Sequence, residues 1–123
     1  PYHFGWDWGP RMVTSGIWRP CYLTFRNTAQ IKSIFYDLQK LETKKAQYTV
    51  EIEADILQAG SYDAAWYVNG ALIAQKTIQA TSGNQVIKLP GVLPNPTLWW
   101  SAGLGKPYLY DTKVVLSQNG KII

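Results

Sequence analysis

The sequence predicts an all-β protein built as an immunoglobulin-like antiparallel β-sandwich. Short runs of alternating apolar and polar residues recur along the chain, whereas no window shows helical spacing of apolar residues with capping residues. Turn residues separate these runs, and Asn69-Gly70 and Asn119-Gly120 supply the left-handed conformations that two-residue hairpins require. The length of 123 residues suits one compact domain and excludes two.

The clearest strand is 48–56, where apolar residues alternate with Thr49, Glu51, Glu53 and Asp55. One face of this strand is therefore expected to pack in the core and the other to face solvent. Trp66 is the expected anchor of the core between the two sheets. We expect the last strand to begin at Lys121 and to be cut short at Ile123. In chain order, the other expected strands are 31–38, 62–68, 72–78, 85–89 and 108–116.

Residues 1–26 differ in amino-acid composition from the rest of the chain. Aromatic residues crowd this segment together with glycine and proline, whereas linkers are polar and flexible. We therefore expect residues 1–26 to be the end of a neighbouring domain, and residues 27–123 to form the sandwich. The aromatic residues of the segment are Tyr2, Phe4, Trp6, Trp8, Trp18, Tyr22 and Phe25.

Composition argues against several classes of function. The net charge of +4 is spread along the chain without a basic stripe, which argues against nucleic-acid binding. One cysteine and one histidine give no metal-ligand cluster and no internal disulfide, and we expect no cofactor. No apolar run approaches the roughly 20 residues of a membrane helix. The cellular compartment stays open.

A single carboxylate stands out in the aromatic segment. If residues 4–11 run extended, Asp7 shares its face with Gly5 and Gly9, so the carboxylate is open to a ligand. A carboxylate accepts hydrogen bonds from two hydroxyls of one sugar, and indole faces stack on the apolar side of a sugar ring. The alternative is that Asp7 pairs with Arg11 and that the tryptophans are core.

The stretches YHFGWDWGPR at 2–11 and VTSGIWRP at 13–20 resemble the signature of β-mannosidases of glycoside hydrolase family 2. A second stretch, LWWSAGLGKPYLY at 98–110, resembles the LWWPNGLG landmark of that family, from which Ser101 and Ala102 depart. The two landmarks bracket nearly the whole chain.

The resemblance implies the end of a jelly-roll sugar-binding domain followed by an immunoglobulin-like sandwich, with a (β/α)₈ catalytic barrel further along. It implies that Trp6 and Asp7 reach the sugar pocket of the barrel, where the aspartate binds hydroxyls of a terminal mannose. It also implies an exo-acting, retaining enzyme that takes β-mannosides or manno-oligosaccharides and makes an intramolecular contact with its barrel. The family's two catalytic glutamates belong to the barrel, so we expect no activity from this chain alone.

Two other interpretations stay open. One is a free-standing carbohydrate-binding sandwich that uses Trp6, Trp99 or Trp100 as platforms, and the other is part of a β-galactosidase, β-glucuronidase or exo-glucosaminidase. Trp99 and Trp100 fit interdomain packing as well as sugar stacking. An edge-strand homodimer is also expected, because a short last strand leaves a sheet edge open. His3 and Cys21 are interpreted as structural residues, with Cys21 buried.

Overall fold

The computed structural model describes residues 4–5, 8–13 and 15–123. It contains β-strands and no α-helix among these residues, which confirms the all-β prediction. In chain order the strands are β1 (Ala29–Glu42), β2 (Lys45–Ile56), β3 (Gly60–Val68), β4 (Ala71–Ala80), β5 (Gly83–Pro94), β6 (Thr112–Gln118) and β7 (Lys121–Ile122).

The strands form two antiparallel sheets that share one core, as the immunoglobulin-like prediction requires. The first sheet has the strand order β1-β2-β5, and the second has the order β4-β3-β6-β7. Strand β2 alternates as predicted, because Val50, Ile52, Ala54 and Ile56 are buried and the residues between them are not. The buried cluster draws on β1, β2 and β5 of one sheet and on β3, β4 and β6 of the other.

Both Asn-Gly turns behave as predicted. Asn69 and Gly70 have φ angles of 48° and 81°, and Asn119 and Gly120 have φ angles of 52° and 74°. The flanking residues pair directly, Val68 with Ala71 and Gln118 with Lys121. These two hairpins fix the register of β3 with β4 and of β6 with β7.

The predicted strand bounds were too short for β1, β2 and β5, which extend into stretches expected to be loop, and began too early for β6. Strand β1 runs well beyond 31–38, because register shifts at Ile31/Ser33 and Leu38/Lys40 interrupt the alternation that marks a strand in sequence. Residues 108–111 lie in a loop before β6, not in a strand. There the Tyr110 hydroxyl accepts a hydrogen bond from the Thr97 amide at 2.6 Å, so this side chain stabilises the loop.

Trp66 lies at the centre of the core, as predicted, with 2% of its surface exposed. The rings of Tyr36 and Tyr48, on β1 and β2, have centroids 5.9 and 5.7 Å from the Trp66 ring. Gly91 of β5 lies against the same indole, since a Cβ there would come within 2.8 Å of Cζ3. Trp66 on β3 therefore touches all three strands of the opposite sheet.

The sandwich begins at Thr28, whose carbonyl oxygen holds the turn between β2 and β3. The amides of Leu57 and Gln58 donate to that oxygen at 2.9 and 3.1 Å. The buried Tyr62 places its hydroxyl within 3.4 Å of the same oxygen and donates to the Gln58 carbonyl. The chain that precedes Thr28 therefore enters the sandwich beside the C-terminal end of β2.

The hairpin between β1 and β2 lies at the other end and carries an exposed charge cluster. Lys40 and Lys45 place their Nζ atoms 2.6 and 3.4 Å from the two carboxylate oxygens of Glu42. The hydrogen bond from Lys40 is the main reason that the pKa of Glu42 lies below its ordinary value. Glu42 and Lys45 end β1 and begin β2, so the loop expected here is reduced to a two-residue turn.

We predict that Gly91→Ala destabilises the sandwich by about 1–3 kcal/mol, because the added methyl overlaps the Trp66 ring. The ideal Cβ lies 2.8 and 2.9 Å from Cζ3 and Cε3 of that ring and 3.2 Å from the Ala74 Cβ. Urea unfolding followed by tryptophan fluorescence measures the change. Gly9→Ala is the matched control, because no atom of the described residues beyond its chain neighbours lies within 4 Å of a Cβ there. Equal midpoints for the two variants would contradict the packing assigned to Trp66.

Candidate functional site

Trp6 and Asp7, the residues expected to contact sugar, lie outside the described residues, as does His3. The structure describes their neighbours Phe4, Gly5 and the run 8–13. The role of Asp7 therefore depends on the sequence motif and on what these neighbours show.

The neighbours of Asp7 do not form the extended strand that the sequence suggested. Gly5 has a φ angle of 103°, a conformation that favours glycine. A Cβ on Gly5 would lie 3.6 Å from the Cα of Arg11 and 3.5 Å from its Cγ, a proximity that a single extended strand over 4–11 does not allow. The argument that Asp7 shares a strand face with Gly5 and Gly9 therefore loses its basis, and the motif match remains.

Residues 15–27 are exposed along their whole length. Large apolar side chains lie on the surface here, with Trp18 81% and Phe25 89% exposed. The guanidinium of Arg19 lies 4.3 Å from the centroid of the Trp18 ring, a cation–π contact. Cys21 is exposed, not buried as expected, because this segment lies off the core of the sandwich.

A second apolar surface is formed by residues 98–110, here called the tryptophan loop. Trp99 and Trp100 are about half exposed, and Leu104 and Leu109 are exposed. The loop is nevertheless ordered by its own hydrogen bonds, from the Trp100 amide to the Lys106 carbonyl at 3.1 Å and from the Leu104 amide to the Ser101 carbonyl at 3.1 Å.

Gly105 allows the tryptophan loop to close on Trp100. A Cβ at Gly105 would lie 2.7 Å from Cγ and 2.8 Å from Cβ of Trp100, so no larger residue fits without moving the ring. Trp99 carries no such packing among the described contacts and is 57% exposed. Trp100 is therefore packed against the backbone of its own loop, although about half of its surface is exposed.

The tryptophan loop and the start of the sandwich lie at opposite ends of β2. At the base of the loop, the Asn95 amide donates to the Lys44 carbonyl at 2.7 Å, and the Asn69 side chain donates to the Tyr108 hydroxyl at 3.2 Å. Lys44 precedes β2, whereas Thr28 contacts Leu57 just after β2. Strand geometry puts these two places about 35 Å apart.

The described part of the chain has neither a metal-like cluster nor a membrane-length helix. Within residues 4–5, 8–13 and 15–123, no three histidine, cysteine, aspartate or glutamate side chains are grouped as metal ligands. A search of the same residues found no helix long and apolar enough to span a membrane.

Sequence comparisons relate the chain to glycoside hydrolases. The family model described as "Glycosyl hydrolases family 2" matches residues 29–123, beginning at the first residue of β1. The chain is 34% identical over 118 residues to "Beta-mannosidase B" of Neosartorya fischeri, which covers 94% of this chain and 14% of that protein. It is 33% identical over 121 residues to "Beta-mannosidase B" of Emericella nidulans, which covers 95% and 14%. The chain thus spans about a seventh of these relatives.

Structural comparison agrees with the sequence. The fold matches a crystal structure of β-D-mannosidase from Dictyoglomus thermophilum with a TM-score of 0.80 and 31% identity, covering 95% of this chain and 15% of that one. A glycosyl hydrolase family 2 member from Bacteroides cellulosilyticus matches with a TM-score of 0.59 at 20% identity over 73% of this chain, which supports the fold alone.

Proposed function

The chain belongs to glycosyl hydrolase family 2, and on that premise we propose that it is the sandwich portion of an exo-acting β-mannosidase. The observation that carries the proposal is the match to β-mannosidases over 94–95% of the chain, in sequence and in structure. The substrate proposed for the whole enzyme is a β-mannoside or manno-oligosaccharide with a terminal β-mannose.

We propose that Asp7 and Trp6 contribute to the sugar pocket of the whole enzyme. A carboxylate accepts hydrogen bonds from two neighbouring hydroxyls, and each charge-assisted bond contributes about 1.5–3 kcal/mol. The indole face of Trp6 offers a surface for the apolar side of the ring. Contacts that tighten as the sugar flattens toward the transition state raise kcat as well as affinity.

The proposed reaction proceeds with retention of configuration. One carboxylic acid protonates the departing oxygen, and a carboxylate about 5–5.5 Å away forms a glycosyl-enzyme intermediate that water then hydrolyses. The two glutamates of β2 have other partners, since Glu51 lies 2.7 Å from Lys88 and Glu53 accepts a hydrogen bond from Ser33 at 2.9 Å. We therefore place the catalytic glutamates outside this chain and propose that the chain alone is inactive.

The exposed apolar surfaces support an intramolecular contact with a barrel domain. Single exposed apolar residues are ordinary on proteins, whereas contiguous apolar patches mark interaction sites. Residues 15–27 carry such a run, with Ile17, Trp18, Tyr22 and Leu23 all exposed. The tryptophan loop carries a second patch on a framework that is already ordered. We propose that both are covered by the rest of the enzyme.

We predict that Asp7→Ala in the whole enzyme lowers kcat/KM for p-nitrophenyl β-mannoside by roughly 10²–10⁴-fold, the equivalent of two charge-assisted hydrogen bonds. Asp55→Ala is the matched control, because Asp55 lies on the outer side of β2 and should leave kcat/KM unchanged. An Asp7→Ala enzyme with wild-type kcat/KM would refute the role of Asp7.

Two further measurements on the whole enzyme test the rest of the proposal. NMR identifies the anomer of the sugar that is released first and so tests retention of configuration. A panel of galactoside, glucuronide and glucosaminide substrates tests the specificity for mannose.

We also propose that this chain forms an edge-strand homodimer. The Ile123 amide donates to the Leu116 carbonyl at 3.1 Å, so Leu116 directs its backbone groups toward β7. By alternation Thr112 and Val114 direct theirs to the same side, where, among the described residues, no strand pairs with them. Such an edge can pair with the same edge of a second copy.

Sedimentation of the chain over a range of concentrations should show a monomer–dimer equilibrium. Thr112→Pro removes one amide at the open edge and should weaken the dimer, whereas Thr77→Ala on β4 should not. A chain that stays monomeric at every concentration, or a dimer unaffected by Thr112→Pro, would contradict the proposed interface.

A further inference from the structure

The outer face of the second sheet carries a groove that is separate from residues 1–26. Its volume is about 440 Å³, within the range of roughly 300–1,000 Å³ that is usual for small-molecule sites. Strands β3, β4 and β6 and the two Asn-Gly hairpins build it. Its polar lining consists of Asp63, Tyr67, Gln75, Asp111, Lys113 and Ser117.

Ala65 forms the floor of the groove. It pairs with Gln75 on β4 and with Val115 on β6, and it lies between Asp63 and Tyr67 along β3. Although it is on the outer face, only 7% of its surface is exposed, because longer side chains surround it on four sides. A small residue in this central position creates the depression, and Val115 gives it an apolar side.

The polar groups of the rim are held in place by the fold. The Thr77 hydroxyl donates to Oδ1 of Asp63 across the β3–β4 pair and so orients that carboxylate. At the other end, the Asp111 amide donates to Oδ1 of Asn69 at 3.0 Å, and the Asn69 amide donates to the Asp111 carbonyl at 2.8 Å. Of the salt bridges between described residues, none involves Asp63, Asp111 or Lys113.

From this arrangement we infer a second carbohydrate site, in which the groove binds a neutral oligosaccharide along β3. The rim offers carboxylates that accept, an ammonium that donates, and an amide and hydroxyls that do both, which is the mixture that sugar hydroxyls require. The five residues of strand from Asp63 to Tyr67 span about 13 Å, longer than one pyranose ring. The Tyr67 ring at one end offers a surface for stacking.

Charge argues for a neutral ligand. The two carboxylates and the one ammonium of the rim leave the groove with an excess of one negative charge. A phosphate or uronate would face both carboxylates in an open groove, which raises the cost of binding. A neutral polyol meets no such repulsion and can use every group of the rim.

Titration of the ¹⁵N-labelled chain with mannotetraose, followed by NMR, tests the site. Binding should be saturable with a Kd of about 1 mM, and the shifted amides should cluster at Ala65, Gln75 and Lys113. Gln75→Ala should weaken binding about three- to tenfold, which corresponds to the loss of one hydrogen bond. Ala65→Leu fills the floor and should abolish binding while leaving the polar rim intact.

Gln79→Ala is the matched control, because Gln79 lies on the same strand and the same face but outside the groove. It should bind as the wild type does. Shifts confined to the tryptophan loop, no saturable shift with any probe, or equal weakening by Gln75→Ala and Gln79→Ala would each overturn the inference.

The choice of a mannose chain as the ligand rests on the proposed function, whereas the inference that the groove binds a neutral oligosaccharide does not. Cellotetraose is therefore titrated in parallel. Binding of cellotetraose alone at Ala65, Gln75 and Lys113 would support the groove and count against a mannan ligand. Loss of β-mannosidase activity in the Asp7→Ala enzyme, measured separately, bears only on the proposed function.

Discussion

The packing of Trp66 between the two sheets is the contact on which the rest of the structure depends. Its indole lies on β3, at the centre of the second sheet, and reaches the rings of Tyr36 and Tyr48 and the backbone of Gly91 on the first. No disulfide is available to join the sheets, since the chain has one cysteine. A large aromatic residue is therefore the main tie between the sheets, and a glycine opposite it sets how closely they approach.

Because this core is built from the strands of the sandwich, the residues that stabilise the fold are different from those proposed to contact sugar. Within the sandwich, the Thr28 carbonyl accepts hydrogen bonds from the turn between β2 and β3. Residues 15–27 and the tryptophan loop, in contrast, expose apolar side chains at opposite ends of β2. In this view the sandwich is a rigid spacer of about 35 Å. The proposed function assigns it two interfaces with neighbouring domains and a sugar-contact motif on the segment that precedes it.

Local patterns predicted what depends on local physics. The alternation in β2, the two Asn-Gly turns and the burial of Trp66 all follow from rules that act over a few residues. The extent of β1 could not be predicted, because two register shifts break its alternation. Residues 108–111 continue the alternation of β6 in sequence and so predict strand, although the Tyr110 hydroxyl instead accepts a hydrogen bond from a loop amide.

The candidate sites divide in the same way. The motif around Asp7 can be read from sequence, but the proximity of Gly5 and Arg11 could not, since both glycine and aromatic residues are compatible with an extended chain. The outer-face groove could not be found from sequence at all. It exists only because the register places Asp63, Ala65 and Tyr67 beside Gln75 of β4 and Val115 of β6, and β6 lies more than 40 residues further along the chain than β3.

The central claim is that the sandwich is held together by its own core and that residues 1–26 do not contribute to its stability. Urea unfolding of residues 27–123 compared with residues 1–123 tests it most directly. We expect one cooperative transition for each, with free energies of unfolding that agree within about 0.5 kcal/mol. A loss of more than about 2 kcal/mol on removing residues 1–26, or the loss of a cooperative transition, would contradict the claim.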